Sequence, residues 1–239
     1  MRPDAVRRVL YAELAAVRER RAGESPRVLD VGGGSGVWAV PLAAAGCAVT
    51  VVDPSPNALA TLHRRAQEAG VVESITAVQG DSDALAQLVP AESVDLVLGH
   101  GVLEVVDDPK TTIAAMAEAT VPGGLVSVLV ANQYAAVLHR AITGRLVDAR
   151  RLLDDPAGQL AEESLSRRYD IARLTQLLVD GGLTVELVQG HGVVSELVPG
   201  AVLEGNPGAA EALAQLELAA ATTPPLRDVA ARLHAIGRR

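Results

Sequence analysis

Short apolar runs alternate along this chain with stretches of helical periodicity. Val28, Leu29 and Val31 form one run, and residues 48–53, 75–79, 94–98 and 125–130 form others. Runs this short, bounded by Gly, Pro or acids, read as strands buried on both faces. Ahead of the first, Val6, Val9, Leu10, Leu14 and Val17 recur at helical spacing and predict a helix over 3–21. Further helices are predicted over 37–45, 57–69, 83–89 and 109–120, each ending near a Gly or Pro. The alternation predicts an α/β fold with a doubly wound, mostly parallel sheet. Right-handed crossovers leave it few topologies.

The rhythm breaks in the last third. Residues 131–168 carry no strand pattern, whereas Tyr134, Val137, Leu138, Ile142 and Leu146 have helical spacing. They predict a helical insert after the fifth strand. Arg140, Arg145, Arg150, Arg151, Arg167 and Arg168 face Asp148, Asp154, Asp155, Glu162 and Glu163 in this stretch. One reading is a salt-bridged surface; the other is a lid over a substrate. A helix over 169–180, a strand over 183–188, a helix over 208–221 and a final strand over 232–236 complete the pattern. With no linker, boundary or repeat, residues 1–239 read as a single domain.

The chemistry concentrates at the end of the first strand. Asp30, Gly32, Gly34 and Gly36 spell Asp-x-Gly-x-Gly-x-Gly, with Gly33 between. Glycines there let a backbone approach a ligand without a Cβ in the way. The following helix would turn its positive dipole end to the same spot. The dinucleotide fingerprint Gly-x-Gly-x-x-Gly fails, because its last position is Val37. The segment resembles instead the first motif of class I S-adenosylmethionine-dependent methyltransferases. That resemblance implies a Rossmann-like, seven-stranded sheet whose last strand is antiparallel, and S-adenosyl-L-methionine as cofactor. Pro122-Gly123-Gly124 before the fifth strand is similar to the same class.

Other candidates stand at strand ends. Asp53 closes the second strand, where a carboxylate accepts from both ribose hydroxyls of a nucleoside. Asp81 or Asp83, with Ser82, ends the third strand; the resemblance implies contact with adenine, and the alternative is an N-cap. His100 stands at the end of the fourth strand, where open α/β sheets bind ligands, and is expected to line the methyl-donor pocket of the cofactor. Trp38 is expected to pack its helix on the sheet.

Composition narrows the class. Apolar residues make up 49% of the 239 positions, enough for a core, yet aromatics are only 2% and Phe is absent. The core must be built from Ala, Val, Leu and Ile. The net charge of −8 leaves no global basic field for nucleic acid. One cysteine, Cys47, excludes an internal disulfide and a multi-cysteine zinc site, and no metal is expected. No signal peptide or membrane span is legible, so the cytoplasm is the expected location. Oligomeric state is left open.

A finer resemblance covers most of the chain. His100-Gly101-Val102-Leu103-Glu104-Val105-Val106-Asp107-Asp108-Pro109 is similar to a run of the bacterial tRNA 5-carboxymethoxyuridine methyltransferases. Asn132, the segment His139 to Gly144, Leu165-Ser166 and Tyr169 match further elements of that family. Arg2 falls where the family has an arginine on the cofactor's carboxylate. There are departures: the family's Lys-rich run is missing, and its Trp is Val105 here. The resemblance implies methylation of a tRNA carboxylate, an acceptor already ionised at pH 7 that needs no base. Arg140, Arg145 and Arg167 would then orient it, with Asn132, Tyr134 and Tyr169 beside them. For a hydroxyl or amine acceptor, His100 or His139 becomes the candidate base. A small-metabolite methyltransferase and a non-catalytic cofactor-binding protein are the alternatives.

Overall fold

The computed structural model describes residues 4–155, 157–160 and 167–239. Seven strands form one sheet in the order β3-β2-β1-β4-β5-β7-β6. They are β1 Arg27–Val31, β2 Ala48–Asp53, β3 Ile75–Gln79, β4 Val94–His100, β5 Thr120–Ala131, β6 Thr184–His191 and β7 Arg232–Arg238. β7 runs antiparallel to both of its neighbours, and β1 to β5 pair in parallel. β6 therefore points the same way as the central strands. The carboxyl ends of β1 to β6 all meet one edge of the sheet.

Ten helices accompany the strands among the described residues: α1 Ala5–Arg20, α2 Ala39–Ala44, α3 Pro56–Glu68, α4 Leu85–Leu88, α5 Pro109–Ala119, α6 Gln133–Ile142, α7 Leu146–Asp154, α8 Ile171–Asp180, α9 Gly200–Gly205 and α10 Ala209–Ala221. None is long and apolar enough to cross a membrane. Strand alternation divides the core. Leu29, Val31, Val97, Val126 and Val128 pack with Ile113 and Met116 of α5 and Leu174 and Leu178 of α8. Val28, Val49, Val51, Leu96, Leu98 and Leu129 pack on the other side with Val6, Leu10 and Leu14 of α1, Leu42 of α2 and Leu62 of α3. Both faces are covered, so the central strands carry unbroken apolar runs. Trp38 lies partly buried against this second layer, and Cys47 is buried within it.

Four expectations need adjusting. The helix after the glycine turn starts at Ala39, not Val37, and spans six residues. Gly32, Gly34 and Gly36 all take positive φ, and the turn continues through Trp38. So short a helix contributes little dipole at the glycines. The helix placed over 83–89 is a 3₁₀ turn, 82–84, followed by α4. Pro122-Gly123-Gly124 lies inside β5 rather than before it, because Thr120 already pairs with Val94 and the register shifts beyond. A Cβ on Gly124 would fall 2.9 Å from the Asp95 carbonyl oxygen, so glycine permits this close approach. Finally, β6 and β7 are joined by 192–231, a second helical addition containing α9 and α10 besides α6 and α7 after β5.

Asp95 ties the amino edge together. Its carboxylate accepts from the Arg27 backbone N–H at 2.8 Å, the Arg27 Nε at 3.4 Å and the Arg21 Nη1 at 3.4 Å. It thus joins the exit of α1 and the start of β1 to β4. Asp95→Ala strands a buried N–H and loses both ion pairs. We expect it to lower unfolding stability by about 2 kcal/mol, read as the midpoint of a urea titration at unchanged m-value.

Candidate active site

At the carboxyl edge the glycine turn is tied to β2. Asp53 is buried, and its Oδ2 accepts from the Gly34 N–H while its Oδ1 accepts from the Ser55 N–H, both at 2.9 Å. Gly32 N–H donates to the Val52 carbonyl at 2.8 Å. Gly33 leaves no space for a side chain, since its Cβ would fall 2.5 Å from Asp30 Oδ2 and 2.9 Å from Val51 Cγ1. A Cβ on Gly36 would meet Leu62 Cδ1 at 2.3 Å. Arg65 of α3 fastens the tip by donating to Ser35 Oγ at 3.0 Å. The turn is therefore held on three sides.

A cleft of about 320 Å³ opens beside it, lined by Gly32, Asp53, residues 81–83 and the loop 101–107 that follows β4. Asp81 accepts from Ser82 Oγ at 3.1 Å and from the Asp83 N–H at 3.3 Å. It caps the short turn, as one of the two acids was expected to do. The loop 101–107 is clamped from behind. Arg167 donates to the carbonyls of Leu103, Val106 and Asp107. Tyr169 is buried, and its hydroxyl donates to the Leu103 carbonyl at 3.0 Å. Burial pushes that phenol up to about 12.

Among the described residues of this edge, Asp30 Oδ2, His100 Nδ1 and Glu104 Oε2 are buried without a hydrogen bond. Asp30 is buried at the end of β1, and its Oδ2 has no hydrogen bond. Burial, and second the neighbouring Asp53 carboxylate, push its pKa up to about 7. The second is His100. Its side chain does not line the cleft; the next residue, Gly101, does. The imidazole turns onto the α1 face, edge-on to Trp38 with ring centroids 4.7 Å apart. Its Nε2 meets Ser127 Oγ at 2.8 Å, Ser127 Oγ meets His234 Nε2 at 2.8 Å, and His234 Nδ1 meets Gln189 Nε2 at 2.9 Å. This polar chain runs beneath α1 from β4 through β5 and β7 to β6. Burial holds both imidazoles neutral: His100 lies well below its ordinary value and His234 at about 3. With the Gln189 amide N–H donating to His234 Nδ1, each link donates to the next. His100 is then left with the proton on Nδ1, which is buried without a partner.

Comparison with known proteins identifies the architecture. A profile described as "Methyltransferase domain" matches residues 5–188. The chain belongs to the methyltransferase-domain family. It is 29% identical over 136 residues to the tRNA 5-carboxymethoxyuridine methyltransferase of Escherichia coli K12, covering 57% of this chain and 52% of that protein. It is 32% identical over 178 residues to a ubiquinone biosynthesis O-methyltransferase of Xanthomonas axonopodis pv. citri, covering 74% and 70%. The chain thus spans about half the length of the first relative. Its fold matches a solved S-adenosylmethionine dependent methyltransferase from Mesorhizobium loti, with a TM-score of 0.64, 21% identity and 98% coverage of both chains.

S-adenosylmethionine is the family's cofactor, and the edge of this sheet fits it. Asp30 holds a buried carboxylate oxygen with no hydrogen bond, against Gly33 of the turn. Each Asp53 oxygen accepts one bond and keeps a lone pair for a ribose hydroxyl. Gly32 lines the cleft, where a Cβ would fall 3.2 Å from Val102 Cγ2.

The residues expected to meet a methyl acceptor scatter. Asn132 is buried; its Nδ2 donates to the carbonyls of Asp228 and Ala230, and its Oδ1 caps α6 through the Tyr134 N–H. Tyr134 and His139 are exposed on α6. Arg145 is exposed and paired with Asp148 at 2.7 Å. Arg140 is buried, with its Nη1 donating to the Ala136 carbonyl at 3.3 Å. Arg167 is spent on the 101–107 loop. Arg2 and Leu165-Ser166 lie outside the described residues, as do Glu162 and Glu163. Sequence reasoning missed Ser127, Gln189, His234 and Glu104. Glu104 is buried, accepts from the Ala131 N–H at 2.8 Å and has its pKa raised by burial.

Asp30 yields a pH-dependent expectation. An acid with a folded pKa near 7 and an unfolded one of 3.8 destabilises the fold fully above about pH 7. The penalty shrinks as pH falls and is gone below about pH 4. Asp30→Asn removes it. The variant should unfold later than wild type at pH 8, by up to about 4 kcal/mol, and equally at pH 4. A urea series across pH reads the difference.

Proposed function

We propose that this chain transfers a methyl group from S-adenosylmethionine to a small, neutral acceptor. The carrying observation is the lining of the cleft, which among the described residues includes no Lys or Arg. A carboxylate acceptor calls for a free guanidinium, yet Arg140, Arg145 and Arg167 each already bond to a protein oxygen. The net charge of −8 and the scarcity of aromatic platforms point the same way.

When bound, the cofactor supplies a sulfonium-activated methyl group. The protein's part is position and exclusion of water. Asp30 would answer the ammonium of the methionine end, the glycine turn would lie against its backbone, and Asp53 would take the ribose. Asp83 is the acid left for the adenine edge once Asp81 caps its own turn, with Ser82 beside it. The loop 101–107, clamped by Arg167 and Tyr169, would close the cleft from β4. For a hydroxyl acceptor the proton must leave. Turning the Gln189 amide reverses every link of the chain and leaves His100 Nδ1 with a lone pair. That nitrogen is buried on the α1 face and does not line the cleft, so the proton leaves to solvent. The stretch 131–168 remains a proposed lid.

A second reading, methylation of a modified tRNA uridine carboxylate, is favoured by the match to the E. coli protein and by the run from His100 to Pro109. Titration calorimetry with S-adenosylmethionine is expected to show binding that Asp53→Ala weakens roughly tenfold or more, the loss of about one charge-assisted hydrogen bond. No binding to the wild type overturns the proposal. Labelled cofactor offered with bulk tRNA and a panel of small alcohols and phenols should then label only the small molecules. Base-labile label in the tRNA would select the second reading.

A further inference from the structure

We infer that the cavity between the start of α1, the end of β6 and α10 binds the apolar body of the methyl acceptor, a neutral ring or short branched chain bearing a hydroxyl. The inference rests on the proposed function and adds where the acceptor sits and what it is. The cavity holds about 230 Å³ and is lined by Ala5, Leu203, Leu213 and Ala214, with Asp4 and His191 at its polar end. A dry aliphatic cavity of about 150 Å³ admits benzene, so one ring or a short branched chain fits here.

The cavity lies at the same carboxyl edge of the sheet as the cofactor cleft, on the α1 face. β6 runs parallel to β4, so His191 lies at the same carboxyl edge as His100. Gln189, two residues earlier on the same face, is the far end of the polar chain from His100. Three interstrand steps separate β6 from β4, about 14 Å in all. An acceptor anchored in the cavity and reacting over β4 is therefore extended.

The walls are built in advance. Glu217 of α10 accepts from the backbone N–H groups of Val193, Val194 and Ser195, which holds the loop after β6 in place. Its charge is spent on that loop. Gly190 must be glycine, because a Cβ would fall 2.6 Å from the Ala230 Cβ. Asp4 caps α1 through the Val6 N–H at 2.9 Å and lies 3.5 Å from His191 Nδ1. Among the described residues no Lys or Arg lines the cavity. An anionic occupant would meet two carboxylates and no cation. A neutral hydroxyl can meet the imidazole of His191 or the hydroxyl of Ser195.

Methyl-resolved NMR of the full chain, saturated with S-adenosylhomocysteine, tests this with 4-butylphenol and its anionic analogue 4-butylbenzoate. The phenol is expected to shift the methyls of Leu203, Leu213 and Ala214 saturably, and the benzoate to bind roughly tenfold more weakly. Ala214→Leu, which fills the cavity, should weaken the phenol roughly tenfold and leave the cofactor affinity within about twofold. If overpacking unfolds that variant, Ala210→Leu at the rim replaces it with the same expectation. Absent shifts, shifts that survive both substitutions, or benzoate binding as tightly as the phenol overturns the inference. Failure of S-adenosylhomocysteine to bind would instead overturn the proposed function, since that titration reads the cleft alone.

Discussion

The carboxylate of Asp53 is the interaction on which the cleft depends. One oxygen takes the N–H of Gly34, the other that of Ser55. The first bond draws the glycine turn of β1 against the end of β2; the second sets the entry into α3. Gly33 can then lie against Asp30 because it has no Cβ. α3 in turn presents Arg65 to Ser35 and Leu62 to Gly36. Without Asp53 the turn keeps only the Gly32 N–H bond to the Val52 carbonyl on its β2 side, and Gly34 loses its tie. Placing Asp30 beside this carboxylate, in burial, is what raises its pKa. The strain is local and lies where a bound cation would relieve it.

A different device lies under α1. Four neutral polar side chains from β4, β5, β7 and β6 form a row under α1, with the links at 2.8 to 2.9 Å. A buried row of this kind costs desolvation, and it is tolerated because nearly every member is satisfied. The exception is His100 Nδ1. A purely structural row would end on a partner. This one ends on a buried nitrogen with no partner, one residue before Gly101 of the cleft. The antiparallel β7 makes the row possible: it carries His234 between strands whose side chains would otherwise be too far apart.

Much of this fold was legible because its signals are local. The apolar runs located all seven strands, and the failed dinucleotide spacing at Val37 pointed to the correct cofactor class. Asp53 could be read because a strand end is a fixed place in a parallel sheet. What escaped depends on contacts distant in sequence. Ser127 and His234 are 107 residues apart, and Gln189 and His234 are 45 apart. No periodicity links them. The arginines misled for the same reason: Arg167 looks free in the sequence until its carbonyl partners, 60 or more residues away, are known. Boundary errors had a conformational cause. Glycines at 32, 34 and 36 with positive φ delayed α2, and Gly124 let β5 begin before its apolar run.

These two devices divide the carboxyl edge by charge. Asp30, Asp53, Asp81 and Asp83 gather on the β1 to β3 side, suited to a cofactor with a cationic end and several hydroxyls. Toward β6 the lining turns to alanine and leucine, and the charge of Glu217 is absorbed by three backbone N–H groups. His100 and the loop after it stand between. A ligand with an anionic group finds no cation in either lined cavity among the described residues. Under the proposed function, an acceptor matched to this edge enters neutral, anchors by apolar surface and is positioned by hydrogen bonds. Catalysis then rests on alignment more than on charge.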